Sequence, residues 1–142
     1  MKSVLQRCIA ASVTVENQIV GQIEHGLTIF LGIEEGDNAQ KAARLAQKIV
    51  NLRVFDNPEG RFDLSLKDVN GKVLVISNFT LCGDARKGTR PNFGSAARPD
   101  AAKALCEQFV TLLREQGIET ASGVFGAHMK VNVENDGPVT LI

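Results

Sequence analysis

Polar side chains that could act on a substrate gather where an apolar strand pattern ends. The run KVLVISNFTL at 72–81 becomes polar at Ser77, Asn78 and Thr80, with Cys82 just beyond. A hydroxyl or thiol nucleophile needs a nearby base, and the sequence offers no evident one. Polar residues at a strand end also satisfy backbone groups there. From this run alone, catalysis and simple capping both remain open.

The usual metal and cofactor constellations are missing from the sequence. Its two histidines, His25 and His128, stand in no metal-ligand spacing. No glycine-rich phosphate or dinucleotide loop occurs, and no CxxC pair indicates zinc or a disulfide framework. We therefore expect no metal, no cofactor, and reduced thiols at Cys8, Cys82 and Cys106.

A loop rich in glycine, arginine and proline covers residues 82–98. A structureless loop of this length in a compact domain usually has a functional reason. It carries Arg86, Lys87 and Arg90 close together, with Arg98 further on. Guanidinium and ammonium groups make charge-assisted contacts with phosphate. The loop is therefore either a solvated surface segment or a phosphate-binding lip.

Length and charge are typical of one globular domain. The chain has 142 residues, with 16 basic and 16 acidic side chains, so no overall field favours nucleic acid or a membrane. The N-terminus lacks the apolar core of a signal peptide, and no apolar run reaches membrane-spanning length. We expect a single domain over residues 1–142, located in the cytoplasm and away from membranes.

The hydrophobic patterns predict strands interrupted by two helices. The first helix pattern takes Asp37 as its cap, and the second runs from Pro99 to Gly117. The pair Asn70-Gly71 indicates a hairpin. We predict an α+β fold, a curled or barrel-like, mostly antiparallel β-sheet with two packed α-helices. The strand patterns cover 3–15, 18–33 as two strands around His25-Gly26, 72–81, 128–134 and 139–142.

Two short motifs give the chain a specific resemblance to a known family. By themselves, Gly137 and Pro138 form only a turn between two strand-like runs. Together, however, SNFTL at 77–81 and NDGPVT at 135–140 are similar to the Ser-Gln-Phe-Thr-Leu and Gly-Pro-Val-Thr signatures of the D-aminoacyl-tRNA deacylase family. The similarity runs nearly from end to end, through QRCIAASVTVE at 6–16, KGTRPNF at 87–93 and SGVFGAHMKVNV at 122–133.

The resemblance implies an enzyme and its substrate. The family hydrolyses the ester between a D-amino acid and the terminal ribose of tRNA, and it acts similarly on glycine mischarged on tRNA-Ala. It forms a homodimer whose active site lies at the subunit interface. A cis Gly137-Pro138 pair, with Val139 beside it, is implied to enter this site from the other subunit. The implied catalytic strand end consists of Ser77, Asn78, Phe79 and Thr80.

Further roles follow from the same resemblance. Phe125 and Met129 are implied to line the adenosine or aminoacyl pocket, although the same residues could be plain core. Arg7 is implied to brace the Gly137-Pro138 loop. The basic side chains of the 82–98 loop are implied to contact tRNA.

The expected chemistry is attack of water on the ester, with a developing oxyanion. Backbone N–H groups near Phe79 and Thr80 are the candidate donors to that oxyanion. Because no base accompanies Thr80, we expect this residue to position the reactants, with assistance from the free ribose hydroxyl. Asn78 departs from the glutamine of the family and is one methylene shorter, which leaves its own role open.

Two alternatives stay open. A related deacylase that corrects L-alanine or another mischarged residue predicts a trans Gly137-Pro138 bond and a wider pocket. A non-catalytic RNA-binding module would use the loop at 85–98 and leave the ester intact. Deacylation of matched D- and L-aminoacyl-tRNA separates the three hypotheses.

Overall fold

Two α-helices and eight strands follow one another along residues 1–142, all of which the computed structural model describes. The helices are α1 (Ala39–Val50) and α2 (Pro99–Glu115), and a 3₁₀ helix covers Phe79–Cys82. The structure holds no helix with the length and apolar character of a membrane span. The strands are β1 (Lys2–Val15), β2 (Gln18–Ile23), β3 (Gly26–Gly32), β4 (Phe55–Asp56), β5 (Phe62–Leu64), β6 (Lys72–Ser77), β7 (Thr120–Ser122) and β8 (Lys130–Leu141).

The sheet is organised around β1, which is 14 residues long. Its first half pairs antiparallel with β3 and its second half with β2, while β8 runs antiparallel along its other edge. β3 pairs in parallel with β6, and β6 in parallel with β7. The six strands form one sheet that curls nearly into a barrel. The predicted α+β fold, with a curled, mostly antiparallel sheet and two packed helices, is therefore confirmed.

The hydrophobic core ends at the C-terminal end of β6, and the candidate site lies there. Both helices pack with β3 and β6 into a core of 20 buried residues. β6 is buried on both faces, because Val73 and Val75 belong to this core while Leu74 and Ile76 belong to a smaller apolar cluster inside the curl. The strand stops at Ser77, where the core ends and polar groups can be satisfied again.

Helix α1 begins one residue later than the sequence pattern predicts. The N-cap is Asn38, whose Oδ1 accepts the N–H of Lys41 at 3.0 Å. The Asp37 carboxylate instead accepts the N–H of Glu34 at 2.8 Å and pairs with Lys41 Nζ at 3.3 Å. Both residue types cap helices well, and the bond to Glu34 decides between them because it holds Asp37 in the preceding turn.

The Asn70-Gly71 pair does not form the predicted hairpin. The strand that follows it, β6, pairs in parallel with β3, and the Gly71 N–H closes a turn onto Leu66 O at 2.8 Å. Asn70 has a φ of 51°, the left-handed conformation that hairpin turns also require. β6 also ends at Ser77 and not at position 81, because the next residues wind into the 3₁₀ helix.

Candidate active site

A cavity of about 460 Å³ lies at the end of β6, beside the start of α2. Most of its lining is apolar, with a few polar groups at one place, as in many small-molecule sites. The segment between β7 and β8 closes another side. The structure thus brings together the predicted strand end and both predicted pocket residues: Ser77, Asn78, Phe79, Thr80, Phe125 and Met129.

Asn78 turns its side chain back onto the chain. Its Oδ1 accepts the N–H of Thr80 at 3.1 Å and also the Thr80 hydroxyl, while the Asn78 N–H donates to Leu31 O at 2.8 Å. Short amide side chains make this kind of cap readily, and it starts the 3₁₀ helix. Because glutamine is one methylene longer, asparagine is the amide suited to this local bond.

Thr80 has an exposed hydroxyl that bonds only to the Asn78 side chain. No histidine or carboxylate accepts a hydrogen bond from it, so the base that a hydroxyl nucleophile requires is not in place. The Thr80 N–H is also engaged by Asn78. Of the two candidate oxyanion donors, this leaves the N–H of Phe79, which begins the 3₁₀ helix and has no acceptor within it.

Phe79 connects the strand end to the basic loop. Its ring is 62% exposed and meets Phe93 edge-on, with the ring centroids 5.2 Å apart. Gly83 lies beside this contact, where an added Cβ atom would come within 2.7 Å of the Phe93 ring. A larger residue at position 83 would displace Phe93, so the shape of the loop and that of the strand end depend on each other.

The predicted phosphate-binding lip has one of its cations already paired. Arg86 binds the Asp84 carboxylate through Nε at 2.8 Å and Nη2 at 2.7 Å, and this hydrogen bonding lowers the pKa of Asp84. Asp84 also exchanges two backbone hydrogen bonds with Asn92, so the pair holds the loop in shape. Lys87 and Arg90 are exposed and take part in none of the ion pairs. Lys87 and Arg90 are therefore the free cations next to Arg86, and Arg98, at the far end of the loop, is also exposed and unpaired.

Gly137 and Pro138 lie at the exposed tip of a wide bulge in β8, and the peptide bond between them is cis. The sequence pattern suggests two strands here, but β8 continues through the bulge. Its register against β1 jumps at this point, so that residues 136–139 all lie opposite Arg7. Val139, at the far end of the bulge, is buried.

Arg7 supports this bulge from the neighbouring strand and is only 5% exposed. Its Nε lies 3.3 Å from the Asp136 carbonyl oxygen and 3.0 Å from the Asp136 carboxylate. Its Nη1 donates to Val54 O at 2.8 Å and pairs with Asp56 at 3.1 Å. A buried charge is stable only when it is paired. These contacts support the bracing role that the family resemblance implies for Arg7.

The two motifs do not meet within one chain. None of the residues that line the cavity belongs to β8. Gly137 instead lies against Arg7 of β1, and an added Cβ atom there would stand 3.4 Å from the guanidinium group. The candidate site of a single chain is therefore in two separate parts.

Several residues of these two parts escape the sequence patterns. Val54 and Asp56, which hold Arg7, come from the segment around a two-residue strand with no periodicity of its own. Cys106 of α2 lines the cavity, and burial raises the pKa of its thiol to about 11. Asn135 bonds across the neck of the bulge. The sequence could have indicated this role of Asn135, because an asparagine in a turn often bonds to nearby backbone groups.

Two solved structures share the fold that carries this site. One, titled "c-Myc DNA Unwinding Element Binding Protein", has a TM-score of 0.93 at 36% identity and covers 99% of this chain and 96% of its own. The other, titled a probable eukaryotic D-amino acid tRNA deacylase, has a TM-score of 0.82 at 17% identity over 98% of this chain and 96% of its own. The chain is thus one of a class of small α+β proteins with a curled sheet and two helices.

Sequence comparison narrows this class to one family. The family model described as D-Tyr-tRNA(Tyr) deacylase matches residues 4–142. Proteins named D-aminoacyl-tRNA deacylase from Bacillus cytotoxicus and Fervidobacterium nodosum are 54% and 49% identical, over all of this chain and 97% and 95% of their own lengths. The chain belongs to the D-Tyr-tRNA(Tyr) deacylase family and is a hydrolase.

Removing the Asn78 cap should harm the site more than replacing it with another acceptor. Asn78→Ala leaves both Thr80 donors without their partner, a loss of about 1 kcal/mol at a helix cap, and frees the strand end to move. Asn78→Asp keeps an acceptor oxygen at the same reach. We expect kcat/KM for aminoacyl-tRNA hydrolysis to fall about tenfold or more in the Ala variant and clearly less in the Asp variant.

Thermal melting of both variants checks that the fold is intact. Asn132→Ala is the matched control, because Asn132 is exposed on β8 and away from the cavity. Equal losses of kcat/KM in the Ala and Asp variants would contradict the role of the acceptor oxygen.

Proposed function

We propose that this protein hydrolyses the ester bond of D-aminoacyl-tRNA and releases free D-amino acid and tRNA. The observation that carries the proposal is the family match over residues 4–142. The cavity at the end of β6 supports it, because apolar walls with Ser77, Asn78 and Thr80 at one place suit an aminoacylated adenosine. In the cytoplasm, this reaction serves as a proofreading step that returns the tRNA for correct charging.

Chirality is selected by the main chain of Gly137 and Pro138. Their carbonyl oxygens hold the ammonium group of the substrate, and the side chain of an L-amino acid meets the wall that the two residues form. Exclusion of one enantiomer does not depend on which side chain the D-substrate carries. Glycine has no side chain to exclude, so glycyl-tRNA, including glycine mischarged on tRNA-Ala, is also a substrate.

The active site is composite and belongs to a homodimer. The support is that no β8 residue lines the cavity, while Gly137 and Pro138 stand exposed at the tip of their bulge. A second copy that inserts this tip into the cavity joins the two parts. Each subunit then contributes Phe79 and Thr80 to one site and its Gly-Pro tip to the other.

The reaction uses water and backbone groups. Water attacks the ester carbonyl carbon, the bond to the ribose oxygen breaks, and a proton from the water reaches that oxygen through the neighbouring ribose hydroxyl. The Phe79 N–H donates to the developing oxyanion, and Thr80 holds the reactants in place. The Cys106 thiol that lines the cavity stays protonated at neutral pH, because burial raises its pKa to about 11, so it offers no thiolate to the ester.

Contact with the tRNA body involves Lys87 and Arg90. Both cations are exposed and outside the ion pairs, so they are available to phosphates. Arg86 has a different part, because its contact with Asp84 keeps the loop in the shape that presents the other two.

Matched enantiomers test the proposed reaction directly. We expect release of the amino acid from a D-aminoacyl-tRNA at about 100 times the rate for the L-form on the same tRNA, or more, which is a difference of about 2.7 kcal/mol in activation free energy. Glycyl-tRNA should be cleaved at a rate close to that of the D-substrate. The measurement is the time course of ester hydrolysis, with hydrolysis in buffer alone as the control.

Each other outcome points to one alternative. Equal rates on both enantiomers would contradict the chiral filter, and faster cleavage of an L-form would favour the related deacylase with altered preference. Binding of tRNA with no hydrolysis of any ester would favour the RNA-binding module.

Mixing two defective subunits tests the composite site. Thr80→Trp blocks the cavity from an exposed position, and Gly137→Val disrupts the tip because an added Cβ atom meets Val139 at 2.7 Å. Each homodimer should be inactive. Random mixing should restore about a quarter of wild-type activity, because half of the dimers are mixed and each mixed dimer holds one intact site of two. No recovery in a mixture shown by native mass spectrometry to contain mixed dimers would contradict the proposal.

Charge reversal tests the phosphate contacts. Lys87→Glu and Arg90→Glu should each raise KM for aminoacyl-tRNA and make the negative slope of log(kcat/KM) against log[salt] shallower by about 0.7–0.9, as expected for one lost phosphate contact. Arg44→Glu is the matched control, since Arg44 is exposed on α1 and outside the ion pairs. A change in KM that is independent of salt would contradict a phosphate contact.

A further inference from the structure

The bulge in β8 is wider than an ordinary β-bulge. Residues 136–139 lie opposite the single residue Arg7, whereas the usual bulge sets two residues against one. Gly137 at its tip has a φ of 126°, and an added Cβ atom would come within 2.7 Å of the Val139 side chain. The loop is folded tightly on itself, so its direction depends on how its two ends are held.

Asn135 closes the neck of the bulge. Its Nδ2 donates to the carbonyl oxygen of Arg7 on β1 and to that of Val139 at the far end of the loop, each at 3.0 Å. The side chain thereby satisfies two carbonyl oxygens at the place where the regular ladder is interrupted. It is half-buried, which limits the competition from water.

Asparagine is the side chain best suited to donate to both carbonyl oxygens. A carboxylate of the same size has no donor, a hydroxyl has one, and glutamine places its amide one methylene further from the backbone. Among side chains of this length, only asparagine carries two donors on one nitrogen. The bond therefore depends on the amide and not only on the volume of the residue.

The loop is held at both ends by different groups. Arg7 holds the near end through the carbonyl oxygen and the carboxylate of Asp136, at 3.3 Å and 3.0 Å. Asn135 holds the far end through Val139, whose side chain is buried. With both ends held, the tip at Gly137 and Pro138 keeps one direction.

We propose that Asn135 is a positioning residue for chiral discrimination: it fixes the place of the Gly137-Pro138 wall without touching the substrate. The inference rests on the proposed function of that wall, which is to exclude L side chains. When the neck is loosened, the Gly137-Pro138 wall can move away from an L side chain. The kcat/KM for L-aminoacyl esters then rises relative to that for D-aminoacyl esters. A glycyl ester shares the ammonium contact with a D-aminoacyl ester and likewise presents no L side chain to the wall, so the ratio between these two substrates changes little.

Asn135→Asp tests the inference, because it keeps the size of the residue, removes both donors and sets a carboxylate against two carbonyl oxygens. We expect the ratio of kcat/KM for D- over L-aminoacyl-tRNA to fall about tenfold or more, while the ratio of D-aminoacyl to glycyl substrates changes less than about threefold. Asn132→Asp makes the same change at an exposed position of β8 outside the bulge and should keep the wild-type ratios.

The three substrates separate positioning from a general loss of structure. Partial unfolding lowers all three rates together and leaves the D/L ratio unchanged, so an unchanged ratio in Asn135→Asp would overturn the inference while the proposed function stands. A wild-type protein with no preference for the D-substrate would overturn the proposed function and the inference with it. Should Asn135→Asp fail to fold in thermal melting, Asn135→Gln carries the test: we expect a fall in the ratio of about threefold or more, and an unchanged ratio would overturn the inference.

Discussion

The buried guanidinium group of Arg7 is the interaction on which the candidate site depends most. A charge that is 5% exposed has to be met by partners, since an unpaired one is strongly destabilising. Its partners are Val54 O, Asp56 and Asp136, which come from the segment before β4, from β4 itself and from the bulge in β8. The Arg7 guanidinium also lies 5.4 Å from the centroid of the Phe62 ring on β5. The pairing of this one charge therefore fixes where the β4–β5 pair and the bulge in β8 lie against β1.

Two asparagines support the backbone in the way that Arg7 supports the bulge. Asn78 stands where β6 gives way to the 3₁₀ helix, and Asn135 stands where the β1–β8 ladder is interrupted. In both places regular hydrogen bonding stops, and a short amide supplies the missing partner. A site made of main-chain groups is only as well defined as the contacts behind it. These two side chains provide such contacts for both halves of the proposed site.

Periodic patterns predict the elements of this fold better than their pairing. The longer strands, the second helix with Gly117 just past its end and the α+β class follow from the sequence, whereas the short strands β4, β5 and β7 match no predicted pattern. The parallel pairing of β6 does not, because Asn70 has the same left-handed conformation in a hairpin and in the turn found here. The grouping of Ser77–Thr80 with Phe125 and Met129 follows from the family resemblance and from no local pattern. The partners of Arg7 lie 47 and 129 residues away along the chain, beyond the range of any periodicity.

The scarcity of reactive side chains is consistent with the proposed substrate. All aminoacyl esters share an amino group, an α-carbon, an ester and a ribose, and they differ in the side chain. An enzyme that accepts many D-amino acids has to bind the shared groups, and main-chain N–H and C=O groups suit that task because they carry no side chain of their own to conflict with the substrate. The cavity accordingly holds no histidine or carboxylate, and its one thiol stays protonated. Discrimination between substrates in such a site depends on how firmly the backbone is held. The residues that limit it are therefore the side chains that bond to this backbone: Arg7, Asn78 and Asn135.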